Sequence, residues 1–482
     1  MATKPTSPPI AQSPTAELNG NVASGVMSYL GFTVLLLQVG IVPQLPAIGR
    51  QLHLSVGDVS WVLTAELLAG AVALAVFSRL ADLFGKRRIM AVCLAVALAG
   101  AVLGALTKDV TVLLIARALM GAQAPMLALP EALASDTMRP EKARFTITTI
   151  HAGNSVGVAG GLLLGALVGA GGRDYHLYFW VAVGTLALGL LALLLVRESP
   201  YRATGRIDVS GAVLLAVGLV GVLLGTSKGP TWGWASPQVL LLIIGGLAVL
   251  VLWVTVQRRV ASPLVDLALL RRTATRTPII VVFLIAFGIY GAISAVARFS
   301  QTNPAVAGYG FGYTPTDGWL FAVPVAIGGL AAAALLQPLG KRIGFAGAAA
   351  VSVVCCTIAY FTLAIAHSTF EPMMASLAVY ALGNTMGLAA SQVIVARSVP
   401  PSQSGVALGL TAIVYAVGNS LGTTAVGVFF ASNTAPGGVF PAPSAYSLSF
   451  VVCGACTLVA TVFAWQAHRK GTDAAAPSPV SQ

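Results

Sequence analysis

The chain has 482 residues, of which 57% are hydrophobic and only 9% charged, with a mean hydropathy of +0.88. A soluble domain carries about a quarter charged residues, so the composition excludes a soluble globular protein and points to the bilayer. The net charge of +12 is not a nucleic-acid footprint either, because its basic residues come in small clusters between apolar runs, without aromatic interleaving.

Residues 1–20 are rich in Pro, Ser and Thr and have no apolar core, which reads as a disordered cytoplasmic tail rather than a cleavable signal peptide. Fourteen runs long enough to span a bilayer follow, at about 22–45, 60–78, 89–107, 110–134, 145–170, 177–196, 209–226, 238–256, 278–297, 316–336, 345–366, 373–396, 404–430 and 446–466. An even count puts both termini on one side. Of the 27 cations, 21 fall in segments then predicted inside, five in outside loops, and Arg117 within a helix. That bias makes both termini cytoplasmic.

The second and third runs are joined by Ser78-Arg79-Leu80-Ala81-Asp82-Leu83-Phe84-Gly85-Lys86-Arg87-Arg88. So short a connection demands a tight antiparallel pair, and Gly85 supplies the permissive backbone. Asp82 can neutralise one of the cations or cap a neighbouring helix N-terminus. The stretch resembles the signature loop of the major facilitator superfamily of transporters, G-x-x-x-D-R-x-G-R-R. Asp82, Gly85, Lys86 and Arg87 match it, whereas Ser78 and Leu83 depart. Arg79, Asp82, Gly85, Lys86 and Arg87 are expected to form a conformational latch.

Internal repetition supports a duplicated architecture. Gly85-Lys86-Arg87 is echoed by Gly340-Lys341-Arg342, and Gly153-Asn154-Ser155-Val156-Gly157 by Gly418-Asn419-Ser420-Leu421-Gly422. The near-equal offsets pair helices 1–6 with helices 9–14 and leave 7 and 8 as an inserted pair. This layout resembles the fourteen-helix drug:proton antiporter branch of the superfamily, as do Arg202-Ala203-Thr204-Gly205-Arg206-Ile207-Asp208 and Ser262-Pro263-Leu264-Val265-Asp266-Leu267. The expected fold is an all-α integral membrane protein with about fourteen transmembrane helices. Its divisions are a cytoplasmic tail at 1–21, a six-helix bundle at 22–196, inserted helices with linkers at 197–276, a second bundle at 277–466, and a tail at 467–482.

The first helix reads Leu36-Leu37-Gln38-Val39-Gly40-Ile41-Val42-Pro43-Gln44-Leu45-Pro46, with Leu37 where that branch usually carries an aspartate. Gln38 and Gln44 can line a polar cavity or bond across helices. In the fourth helix Arg117 resembles the family's intramembrane arginine in R-x-x-x-G. A cation mid-span needs a partner. Only Glu66 and Glu131 are carboxylates within the predicted helices. Counted from Trp61, Glu66 lies about 8 Å deep and Arg117 about 10 Å from the same side, so helices 2 and 4 are expected to bring them together as a proton-coupling pair. Glu131, beside Pro130 and near Asp136, is the alternative coupling site or simply hydrated.

In the fifth helix Gly153, Gly157, Gly161, Gly165 and Gly169 leave one face as bare backbone. The position resembles the superfamily's antiporter motif without its proline. The ridge is expected to pack or gate, with helices 5 and 10 sliding at the interface between halves. Asn154, Tyr290, Asn384 and Asn419, with Gln38, are candidates for a weakly polar substrate cavity, joined by His151, Thr385 and Gln392. His151 has no carboxylate or second His at ligand spacing, so no metal is expected. The five cysteines lie in predicted helices, where thiols behave as small hydrophobes. Trp232 and Trp234 mark an outer interface, and the loop near 298–317 is a candidate lid.

No G-x-x-x-x-G-K-[ST] and no nucleophile-base arrangement occurs, so neither ATP hydrolysis nor enzyme chemistry is expected, and no cofactor. The resemblance implies a secondary transporter in the cell membrane exporting a small, largely apolar or amphipathic drug, antibiotic or metabolite, with protons as partner. A proton-independent lipid or metabolite facilitator is the alternative, and a non-transporting sensor a third.

Overall fold

A computed structural model describes residues 14–54, 56–169, 174–203, 208–260, 273–400, 404–434 and 440–469. The expected tails at 1–13 and 470–482 and the segment 262–267 lie outside the described residues. The first helix begins earlier than the tail reading allowed. Helix α1 runs Pro14–Gly40.

Around the first bundle follow α2 (Leu45–Gln51), α3 (Val56–Phe84), α4 (Lys86–Leu106), α5 (Val110–Met120), α6 (Leu129–Thr137), α7 (Pro140–Gly169) and α8 (His176–Ala192). Next come α9 (Val209–Trp232) and α10 (Pro237–Gln257). The rest is α11 (Thr273–Gln301), α12 (Pro304–Ala307), α13 (Trp319–Ala366), α14 (Phe370–Ser398), α15 (Ser404–Ser432) and α16 (Pro443–Arg469). Twelve helices among the described residues are long and apolar enough to cross a membrane. The difference from fourteen arises at two places. The span Leu320–Ala366 is counted once although its backbone breaks at Gly344, and α9 carries only a shorter apolar stretch, Ser210–Thr226.

Gly85 (φ +116) separates α3 from α4, and Gly344 (φ +76) breaks α13. Left-handed values like these favour glycine. The repeat of the signature turn therefore pivots on Gly344, four residues past the Gly340 expected from the sequence echo.

One buried apolar cluster joins residues of α1 to α8 and another residues of α11 to α16. Two smaller clusters bridge them. Leu74, Ala128, Leu219 and Leu408 belong to one, and Ile147, Ala332, Phe345 and Met386 to the other. Helix α9 touches both sides, through Lys228 4.0 Å over the Trp61 ring and Thr226 2.8 Å from Ser420. The loop after α11 folds onto an aromatic cluster of Phe299, Tyr309, Phe311, His367 and Tyr446, and the Tyr309 hydroxyl donates to the Pro441 carbonyl at 2.6 Å.

The glycine face of α7 lies against α1, not at the interface between bundles. A Cβ on Gly157 would stand 2.5 Å from the Phe32 carbonyl oxygen, one on Gly161 2.6 Å from that of Leu36, and one on Gly165 2.5 Å from that of Gly40. Gly153 meets Ser28 in the same way. The bare backbone of this ridge lets two helices of one bundle touch, while helix 5 meets helix 10 as expected but through a neighbouring face, where a Cβ on Gly329 of α13 would stand 2.3 Å from that of Ser155. Gly418 and Gly422 repeat the contact on α15 against Phe283 and Phe287 of α11, so the sequence echo is also a structural one.

Candidate functional site

At the end of α3, Asp82 is buried and its carboxylate accepts from the backbone N–H groups of Gly405 (3.2 Å) and Val406 (2.8 Å). These are the first free donors of α15, so a residue of one bundle caps a helix of the other. Lys86, wholly buried, bonds Asp82 at 3.0 Å and Asp136 of α6 at 2.7 Å. Asp136 also accepts from Ser404 (3.0 Å) and Ser199 (2.5 Å). The two alternatives open for Asp82, neutralising a cation and capping a helix, are thus realised together. Arg87 serves differently: its backbone N–H and that of Arg88 donate to Glu198, and its Nε donates to the Leu193 carbonyl at 3.1 Å. Arg79 is buried one turn before Asp82, and its Nε has no hydrogen-bond partner among the described residues. Sequence reading missed Asp136, Glu198, Ser199 and Ser404. The one available signal was a second acid, Asp136, beside the cations of the following loop.

Glu66 and Arg117 form a direct ion pair, both buried. Arg117 Nε donates to the Val62 carbonyl at 3.0 Å, and Gln123 Nε2 donates to Glu66 Oε1 at 2.9 Å. Tyr178 lies against the guanidinium and donates its hydroxyl to the Leu37 carbonyl. Where the usual aspartate is missing, α1 thus offers backbone to this cluster. The fourth span is interrupted by a 3-10 segment, Gly121–Leu127, containing Pro125, and this turns α6 and Glu131 away from α5.

Glu131 is fully buried and its Oε1 stands 3.0 Å from His151 Nε2. Two expectations are corrected here. His151 does have a carboxylate partner, and Glu131 is held by a side chain rather than simply hydrated. The pairing joins first-turn residue 131 of α6 to α7, which no spacing in the sequence announces.

On the neighbouring face of α7 the bundles meet. Gln337 of α13 donates to Thr148 at 3.3 Å, and Ser155 lies 2.8 Å from Thr385 of α14. Of the cavity candidates, Asn154, Asn384 and Asn419 each have a buried Oδ1 without a hydrogen-bond partner among the described residues, as has Gln392 at Oε1, and the Asn154 oxygen lies against Gly31 of α1. Gln38 is half-buried. Gln44 turns out to bond across helices, donating to the Gly165 carbonyl at 2.5 Å. Between α7 and α13 a cavity of 260 Å³ is lined by Glu141, Arg144, Gln337, Lys341 and Phe345.

Membrane-length helices in two linked bundles, a charged clasp between them and ion pairs at membrane depth define a polytopic transporter. Residues 23–423 match the sequence profile of the Major Facilitator Superfamily, and the chain belongs to that family. It is therefore a membrane transporter and not an enzyme. The multidrug resistance protein Stp of Mycobacterium tuberculosis is 27% identical over 391 residues, covering 79% of this chain and 70% of that protein. The puromycin resistance protein pur8 of Streptomyces alboniger is 32% identical over 278 residues, 55% of this chain and 54% of its own length. The fold matches the crystal structure of the human organic anion transporter MFSD10 with a TM-score of 0.63 at 17% identity, covering 94% of this chain and 100% of that one.

Proposed function

We propose that this protein exports a small, largely apolar or amphipathic compound by alternating access, in exchange for protons, with both termini and the latch on the cytoplasmic side. The observation that carries the reading is the clasp of Asp82 on the start of α15. A bond of this kind between bundles belongs to one end state of a rocking cycle and must be released in the other. The relatives named for resistance to drugs and to puromycin support an amphipathic substrate. The side-chain oxygens of Asn384, Gln392 and Asn419, orphaned among the described residues, suit a weakly polar passage, because buried acceptors without partners call for an occupant in some state. Glu66–Arg117 and Glu131–His151 are the candidate sites for proton coupling.

One observation favours the alternative of a proton-independent lipid or metabolite facilitator: Leu37, fully buried, stands where the branch carries its helix-1 aspartate. Reconstitution in vesicles with ethidium as probe separates the two. Export predicts ethidium movement that rises with an imposed pH gradient. Movement indifferent to the gradient favours the facilitator, and none refutes transport of this class of substrate.

A further inference from the structure

His151 lies three residues after Thr148 and four before Ser155, so the three share one face of α7. Thr148 and Ser155 are the two residues of that face bonded across to the second bundle, at 3.3 and 2.8 Å. His151 stands between these bonds and reaches the other way, to Glu131. Neither oxygen of Glu131 has another hydrogen-bond partner among the described residues. Other titratable groups around the pair are Asp136 further along α6, Glu141, Lys142 and Arg144 at the start of α7, the last lying over the Phe345 ring, and the buried thiol of Cys93 on α4. The described part of α1 beyond residue 20 brings no ionisable group but Tyr29, and α15 brings only Tyr415. Helix α14 brings Tyr380, with Glu371 and Arg397 at its ends. Helix α4 brings Lys86, Arg87 and Arg88 at its start, of which Lys86 is engaged by Asp82 and Asp136.

We propose that Glu131–His151 is the site where the coupled proton binds and leaves, and that its charge sets the state of the seam between α7 and helices α13 and α14. The inference rests on the proton-exchange reading of function and names its site. Each partner has one exchangeable proton, and imidazole is the side chain whose charge ordinarily changes at physiological pH. With one proton the pair has zero net charge, as an ion pair or as two neutral groups. Loss of that proton leaves −1, and gain of a second leaves +1. Either charged form is costly in a buried site unless water or a counter-charge reaches it, and His151 stands on the face of α7 that carries the seam bonds. Opening of the seam and change of proton number are thereby tied. Glu66–Arg117 does not offer this range, because arginine keeps its proton and neutralising Glu66 would strand a buried cation.

Infrared difference spectroscopy on the full-length protein in lipid vesicles, between about pH 5 and 8 where histidine titrates, reads the site without any substrate. The expected result is a protonated-carboxyl band that appears on acidification. It should be missing in Glu131→Gln, retained in Glu66→Gln and displaced in His151→Asn, the last giving a second arm should the first variant not fold. A band unchanged in Glu131→Gln, or lost only in Glu66→Gln, overturns the assignment. Gradient-driven ethidium efflux on the same vesicles should fall to background in Glu131→Gln. A wild-type protein that shows the Glu131 band yet no gradient-driven efflux sinks the exporter reading and leaves the proton site standing.

Discussion

Replacing Asp82 by Asn should loosen the clasp between the bundles by an amount that can be worked out from its bonds. The carboxylate accepts from two backbone N–H groups of α15, at 3.2 and 2.8 Å. An amide keeps one accepting oxygen but turns an NH2 group toward the other donor. One charge-assisted bond is lost, worth about 1.5–3 kcal/mol, together with roughly 0.3–1 kcal/mol of charge against the helix dipole. The bond from Lys86 is internal to the first bundle and does not enter, and Lys86 still has Asp136. A net loss of about 2 kcal/mol changes the closed-to-open ratio about 30-fold. Ser78 is buried on α3 against Gly409 of α15, so Ser78→Cys reports on that seam in a background with the five native cysteines replaced. Its labelling rate by a water-soluble maleimide should rise about as much as the open fraction. Equal rates in Asp82→Asn and its parent would refute the clasp.

Gly157→Leu forces a side chain into a contact where even a Cβ stands 2.5 Å from the Phe32 carbonyl oxygen. Overpacking costs about 1–3 kcal/mol, and thermal unfolding followed in detergent should show a lowered midpoint, an unchanged one contradicting the α1–α7 contact. Glu66→Ala leaves Arg117 buried without its acid and should destabilise by about 3–5 kcal/mol. The double variant with Arg117→Leu should recover part of this, and strict additivity in that cycle would show that the pair does not interact. Gly344→Ala, at φ +76, should cost about 1 kcal/mol while Gly340→Ala costs less. Equal losses would remove the special role given to Gly344.

The helical architecture was legible because hydropathy and basic loops are local signals, and burial of so few charges made Glu66 and Arg117 natural partners. Depth alone sufficed to pair them, since both are counted along single helices from one interface. Glu131 and His151 were each singled out, but their pairing escaped notice because the 3-10 segment between α5 and α6 interrupts the regular helix count. The clasp was half legible. Its acid could be read as a cap, but the helix it caps begins more than 300 residues later and carries no mark of that role. The glycine ridge announced close packing without naming a partner, and the turn echo pointed to Gly340 because residue identity repeats where backbone conformation does not.

The contact between α1 and α7 has a mechanical consequence. Gly153 and Gly165 are twelve residues apart, about 18 Å along the axis, and at Gly153, Gly157, Gly161 and Gly165 the backbone of α7 rests on backbone carbonyls of α1. The two helices therefore tilt as one stiff lever. One end carries Gly165, held by Gln44, and just past the other end sits His151. A small displacement at the histidine reaches the far mouth of the bundle undamped.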